Sequence, residues 1–147
     1  MMWDPVDRQF FKPRLAVEIA QGVDAWWVKS IRCFLEELRC VTLLHNTIVP
    51  GDFLRVINRG DTAPEFLTIY CHGHERGLRF HERYTEAIDV SMLDGKYMPP
   101  AAIREHVSLP GCSVQMGACC GGTEEMLGAF ISGGVKAYMG SPVAIED

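Results

Sequence analysis

The first half of the chain alternates short apolar runs with one longer stretch of helical spacing. Residues 14–22, RLAVEIAQG, form a short apolar run that ends in glycine, which predicts a strand. From Asp24 onward, apolar side chains recur at every third or fourth position, which predicts an amphipathic helix with Asp24 as its cap. Residues 40–45, CVTLLH, predict a second strand. A short helix is then predicted to begin at Pro50 and to end near Gly60.

The second half repeats the alternation around a less regular middle section. Residues 65–73, EFLTIYCHG, contain a continuous apolar run too short for a helix, which predicts a central strand buried on both faces. Residues 75–110 predict excursions over the sheet, with a helical turn at residues 100–107, PAAIREHV. The remaining pattern predicts a strand, a helix and a last strand at residues 113–118, 123–134 and 135–140.

This order of elements predicts an α/β fold. Strands that alternate with helices are typical of a mostly parallel sheet, because right-handed crossovers place the connecting helices on its two faces. We therefore expect a three-layer α/β/α sandwich with about five strands in a flavodoxin-like order. No repeat or linker interrupts the pattern, so residues 1–147 are interpreted as one domain with an N-terminal arm at residues 1–13.

Composition and charge narrow the classes of protein to consider. Hydrophobic residues make up 48% of the chain and charged residues 22%, which is typical of a folded globular protein. The formal net charge is −5 and no basic run is present, which argues against nucleic acid as a partner. No apolar run approaches the roughly 20 residues of a membrane span, so no membrane partner is expected.

The N-terminus and the cysteines indicate a cytoplasmic protein. Residues 1–14, MMWDPVDRQFFKPR, carry charges and two prolines where a secretory signal needs a continuous apolar segment. The cysteines form no CxxC framework, and a reducing compartment keeps them as thiols. Most of them are interpreted as small core residues. The six are Cys33, Cys40, Cys71, Cys112, Cys119 and Cys120.

Reactive side chains follow two of the predicted strands. His72 comes directly after the apolar run FLTIYC, and Cys119 comes after SVQMGA, 47 positions later. Ligands of open parallel sheets bind beyond the carboxyl ends of the strands, and these two strands are expected to be neighbours. Parallel neighbours are about 5 Å apart, so His72 and Cys119 can share one cleft.

The chemistry of a nucleophilic thiol requires these residue types. A cysteine is mostly protonated at neutral pH, so it gains from an imidazole that takes its proton and from a helix N-terminus that favours the anion. The helix capped by Thr123 directs its amino end toward residues 119–122. The amides of Gly73 and Cys119 are the candidate donors to an oxyanion.

These two blocks, FLTIYCHG and SVQMGAC, resemble those of the caspase-like cysteine peptidases of clan CD, which include caspases, legumains, gingipains, separase and bacterial CHAT domains. The spacing agrees with the caspase rule of a histidine roughly 50 residues before the Q-A-C motif. The resemblance extends over residues 14–142. It implies Cys119 as nucleophile, His72 as general acid/base and Gly73 as oxyanion donor, with a peptide or protein substrate and no cofactor or metal ion. Gly117 stands where caspases have glutamine, so their preference for aspartate does not carry over.

Other interpretations of the same residues remain open. The chain ends seven residues after Gly140, the last residue of the last predicted strand, which favours a catalytically silent module that binds a partner or forms a homo-oligomer through an edge strand. His72 can also be a structural, hydrogen-bonded histidine. A zinc site is the third alternative, with ligands drawn from His72, His74, His81 and Cys119 or Cys120. Neighbours on a strand-to-helix turn point in different directions, so only one of Cys119 and Cys120 is expected to be the nucleophile, and the Ala-Cys motif favours Cys119.

Overall fold

The main sheet is formed by five parallel strands in the computed structural model, which describes residues 15–144. The strands are β1 (Ala16–Gln21), β2 (Val41–Asn46), β3 (Phe66–Tyr70), β7 (Ser113–Gly117) and β8 (Ala137–Gly140). Their order in the sheet is β2-β1-β3-β7-β8, and every neighbouring pair is parallel. This confirms the predicted parallel sheet and its flavodoxin-like order. The predicted arm at residues 1–13 lies outside the described residues.

Helices cover both faces of the sheet, which gives the three layers expected. One face carries α1 (Val28–Glu37), whose Val28 packs with Val17 and Ile19 of β1. The larger core lies on the opposite face, where Leu67 and Val114 alternate inward from the two central strands. That face is covered by α2 (Pro50–Ile57), α3 (Pro100–His106) and α4 (Glu124–Ser132).

The start of α1 differs from the prediction. Asp24 does not cap the helix, because its φ of 55° places it in a left-handed turn before the helix begins. Trp27 is the N-cap residue, without a hydrogen bond from its side chain to the helix. Trp27 is partly buried against the small core on the face that carries α1, whereas Trp26 is exposed.

The predicted excursion contains a small antiparallel sheet, and the sequence pattern did not indicate its strands. Its strands are β4 (Gly73–His74), β5 (Gly77–Arg79) and β6 (Tyr97–Met98), paired in that order. Leu78 and Met98 anchor this sheet in the large core. The hairpin of β4 and β5 begins immediately after His72, so it forms part of the surroundings of the candidate site. Among residues 15–144, no helix is long and apolar enough to cross a membrane.

Candidate active site

His72 and Cys119 occupy equivalent positions at the ends of two neighbouring parallel strands. The pairing of β3 with β7 ends at Tyr70 and Gly117, and each reactive residue lies two positions beyond its strand's last paired residue. Side chains alternate between the two faces along a strand. Cys71 and the corresponding Ala118 are buried in the large core. His72 lies toward the opposite face, which carries α1, and its ring contacts Trp27 there. Cys119 holds the equivalent position in the turn that follows β7.

The backbones at the two strand ends are in close contact. A Cβ atom built on Gly73 would overlap the carbonyl oxygen of Cys119, so residue 73 must be glycine for the two segments to approach. Gly73 and Leu78 form a non-hydrogen-bonded pair of the hairpin, since the flanking bond runs from the amide of Arg79 to the carbonyl oxygen of His72 at 2.9 Å. The N–H group of Gly73 consequently points away from β5.

The loop after Cys119 is held against the end of β8. The amide of Cys120 donates to the carbonyl oxygen of Val143 at 3.1 Å, and the amide of Gly122 donates to that of Ser141 at 2.7 Å. Cys120 has a φ of 57°, a left-handed conformation that is uncommon for residues with a side chain. These bonds fix the turn that follows the candidate nucleophile.

Helix α4 begins directly after this loop, as the sequence predicted. The hydroxyl of Thr123 accepts a hydrogen bond from the amide of Met126 at 3.4 Å, which makes Thr123 the N-cap residue. Gly133 is the C-cap and Gly134 has a φ of 88°, so the helix also ends where predicted. The amino end of α4, where the helix dipole favours negative charge, is therefore next to the loop that contains Cys119.

Cys119 differs from the neighbouring cysteines in its exposure to solvent. Cys119 is partly exposed, whereas Cys71 and Cys120 are buried. Burial, with a smaller effect from the nearby Cys119, raises the pKa of Cys71 to about 12. Burial also raises the pKa of Cys120. Within this group, Cys119 is thus the thiol best placed to meet a substrate.

Two further residues flank His72, and sequence reasoning missed both. The ring centroids of Trp27 and His72 are 5.5 Å apart in an edge-to-face arrangement, with an interplanar angle of 77°. Arg79 is the cross-strand neighbour of His72 in the hairpin. From sequence alone, the contact of Trp27 with His72 could not be distinguished from ordinary packing of an apolar side chain in the core. The hairpin was detectable in principle, since residues 72–80, HGHERGLRF, place a turn sequence between two short segments.

The histidines proposed as ligands in the alternative zinc site contact different partners. His74 stacks on Tyr97 with ring centroids 4.9 Å apart, and its Nδ1 accepts from the amide of Arg76 at 3.2 Å. His81 lies edge-to-face with Tyr84 at 5.9 Å. Within residues 15–144, no group of three or more His, Cys, Asp or Glu side chains is arranged to hold a metal ion.

Comparisons with known proteins give no independent assignment. No family model matches the chain, and no curated protein matches it. The geometry at the ends of β3 and β7 is therefore the basis on which function is assigned.

Proposed function

We propose that the protein is a cysteine-type endopeptidase of the caspase-like group that uses a dyad of His72 and Cys119. The observation that carries this proposal is that the two residues follow neighbouring parallel strands at equivalent positions, where the backbones of Gly73 and Cys119 are in contact. An imidazole and a partly exposed thiol that follow neighbouring strands are the groups that nucleophilic acyl transfer requires.

The dyad would act in two half-reactions. His72 accepts the proton of the Cys119 thiol, and the thiolate sulfur bonds to the carbonyl carbon of the substrate. The resulting oxyanion accepts hydrogen bonds from the amides of Gly73 and Cys119. The C–N bond then breaks, and His72 gives its proton to the leaving amine. Water, deprotonated by His72, attacks the acyl-enzyme and releases the acid and the thiol.

Alkylation of the native protein tests this proposal with internal controls. Treatment with iodoacetamide near pH 7, followed by peptide mass spectrometry, measures the rate at each cysteine. We expect Cys119 to react at least about tenfold faster than the exposed Cys33, because His72 would accept the thiol proton as Cys119 attacks the reagent. Cys71 should remain unmodified, since a thiol with a pKa of about 12 is protonated at pH 7.

Two variants connect the reactivity to the dyad and to hydrolysis. His72→Ala should lower the alkylation rate of Cys119 to that of Cys33, whereas His81→Ala, an exposed histidine of the same segment, should not. Hydrolysis of a peptide library should be lost in Cys119→Ala. Equal reactivity of Cys119 and Cys33, unchanged by His72→Ala, would show that no activated thiol exists.

The exposed edge of the sheet supports a second candidate function, a silent module that associates through β8. Met139 on this edge strand and Val143 after it are 66% and 64% exposed. An exposed strand edge with apolar side chains is a site for pairing with another chain. Light scattering distinguishes this candidate: it requires an oligomer that Met139→Lys dissociates, together with a Cys119 of ordinary reactivity.

A further inference from the structure

Trp27 packs against the imidazole of the proposed dyad. The ring centroids of Trp27 and His72 are 5.5 Å apart and the ring planes meet at 77°, which is the edge-to-face arrangement that aromatic pairs favour. Both side chains are partly buried, and the indole also packs against the small core on the face that carries α1. The indole therefore restricts how far the imidazole can turn.

The backbone of His72 is held by its neighbours, but these bonds leave the direction of its ring open. The amide of Arg79 donates to the carbonyl oxygen of His72 at 2.9 Å. The torsion that rotates a histidine ring about its Cβ–Cγ bond has a broad distribution with weak preferences. A general acid/base nevertheless has to keep one ring nitrogen directed at the proton that it transfers. A contact with the ring itself is therefore needed, and Trp27 provides one.

The turn at residues 22–27 determines where the indole of Trp27 lies. The amide of Gly22 donates to the carbonyl oxygen of Tyr70, the last residue of β3, at 2.8 Å. A Cβ atom built on Gly22 would overlap the Cβ atom of Cys71, so the turn lies directly against the residue before His72. The buried side chains of this turn are Val23 and Ala25. Trp27 and His72 are thus carried by segments that contact each other.

Trp26 provides an internal comparison for Trp27. Its side chain is 80% exposed, and its ring lies edge-to-face against Trp27 with the centroids 6.2 Å apart. The ring of Trp27 in turn lies between Trp26 and His72. Two indoles that are adjacent in sequence therefore differ in whether they contact the imidazole, which makes the same substitution at the two positions a matched pair.

We propose that Trp27 is a positioning residue, which holds the imidazole of His72 in the orientation that exchanges a proton with Cys119. This inference rests on the proposed peptidase function. Trp27 acts through His72 and takes no part in bond making. Without the indole, the imidazole would adopt other ring orientations, and a smaller fraction of the molecules would have the ring nitrogen correctly directed. The chemical step would slow, because proton transfer depends on that alignment.

Alkylation of Cys119 by iodoacetamide at pH 7 tests the inference on the full chain. Trp27→Leu should lower the rate at Cys119 by at least about threefold, because it removes the contact that orients the imidazole. Trp27→Phe, which keeps an aromatic ring, should retain most of the rate and guards against a folding defect. Trp26→Leu is the matched control and should leave the rate unchanged. Equal effects of Trp27→Leu and Trp26→Leu would overturn the inference.

A double-variant cycle separates positioning from a general disturbance of the site. If Trp27 acts through the imidazole, Trp27→Leu will have no effect on Cys119 in a protein that already carries His72→Ala. If Trp27→Leu slows alkylation equally with and without His72, the indole supports the Cys119 loop instead, and the positioning role is wrong. Urea unfolding of each variant confirms that the reactivity is measured on folded protein.

Kinetics with a cleaved peptide supply a second measurement. Trp27→Leu should lower kcat and leave KM within about twofold, because alignment of the imidazole affects the chemical step and not substrate binding. A rise in KM with kcat unchanged would overturn the inference, since it would make Trp27 a substrate contact.

The failures of the two proposals can be told apart. If His72→Ala slows alkylation of Cys119 and Trp27→Leu does not, the dyad stands and the role of Trp27 is wrong. If Trp27→Leu slows alkylation only when His72 is present, but the native protein cleaves no peptide, the positioning role stands and the peptidase function is wrong. If His72→Ala has no effect on Cys119, both proposals are wrong.

Discussion

The backbones of Gly73 and Cys119 approach each other so closely that residue 73 of the candidate site cannot carry a side chain. The overlap that a Cβ at residue 73 would create is with the backbone oxygen of Cys119, which cannot rotate away as a side chain can. Gly73→Ala should therefore displace the Cys119 loop and lower the alkylation rate of Cys119 by at least about tenfold. Peptide mass spectrometry after iodoacetamide treatment measures the effect.

Gly51→Ala is the matched control for this substitution. Gly51 lies in α2, and a Cβ atom built there meets nothing within 4 Å. Alanine is favoured over glycine in a helix by about 1 kcal/mol, so this variant should be more stable in urea unfolding, with unchanged reactivity of Cys119. If Gly73→Ala and Gly51→Ala leave the rate at Cys119 equally unchanged, the close contact is not needed for the site.

At the residue scale, local sequence identifies some members of the site and not others. His72, Gly73 and Cys119 are recognisable as candidates because each follows an apolar run, where parallel strands end; their catalytic roles remain predictions. Trp27 and Arg79 carry no such signal, since their contacts with His72 arise from how α1 and the β4–β5 hairpin pack around the strand ends. Contacts between distant segments of this kind cannot be read from periodicity.

Elements of the sheet are tied together by a partly buried ionic cluster. Glu18 of β1 contacts His45 of the edge strand β2 at 2.7 Å and Arg59, which follows α2, at 2.8 Å. Burial raises the pKa of Glu18, but hydrogen bonds from Arg59 and His45 outweigh it and leave the pKa below its ordinary value. The cluster connects the edge of the sheet to the layer of helices beneath it.

The lowered pKa of Glu18 predicts a stability that depends on pH. A carboxyl group with a depressed folded-state pKa stabilises the fold above its unfolded pKa of about 4.5, and that stabilisation is lost as the pH falls through the folded value. Glu18→Gln should therefore lower the free energy of unfolding at pH 7 by about 1 kcal/mol, because the cluster is partly screened by solvent. The difference from the native protein should shrink below pH 4.5.

Urea unfolding at pH 7 and at pH 3 measures this difference. Glu36→Gln serves as the control, since Glu36 pairs with Arg32 on the exposed surface of α1 and its loss should change stability little. A Glu18→Gln difference of the same size at both pH values would mean that the carboxylate charge does not cause the effect.

At the element scale, the strands and helices of the main sandwich were predictable because each has an apolar run of the right period. The start of α1 was wrong because Asp24 is a good cap by residue type, yet the chain makes a left-handed turn there and delays the helix to Val28. The short strands β4 to β6 escaped prediction because two or three residues are too few to show alternation. Their existence depends on pairing with one another.

The two faces of the whole molecule bury apolar surface unequally. Among residues 15–144, most buried side chains belong to the core beneath α2, α3 and α4, whereas the α1 face buries a smaller cluster formed by Val17, Ile19, Ala25 and Val28. Phe34 of α1 and Leu38, the residue that caps its C-terminus, are also largely exposed, at 61% and 59%. Since helices in proteins are stabilised mainly by packing, α1 should be the less stable layer.

This asymmetry predicts that α1 opens before the rest of the sandwich and that the candidate site opens with it. Hydrogen exchange with mass spectrometry should give residues 28–37 a protection free energy at least about 1–2 kcal/mol below that of residues 124–132, whose Phe130 is fully buried. Val28→Ala should speed exchange in α1 alone, while Phe130→Ala should lower protection throughout. Because Trp27 is the N-cap of α1 and contacts His72, the Val28 variant should also slow alkylation of Cys119. Equal protection of the two helices would show instead that α1 unfolds only together with the whole sheet. Trp27 would then keep its position as long as the large core stays folded.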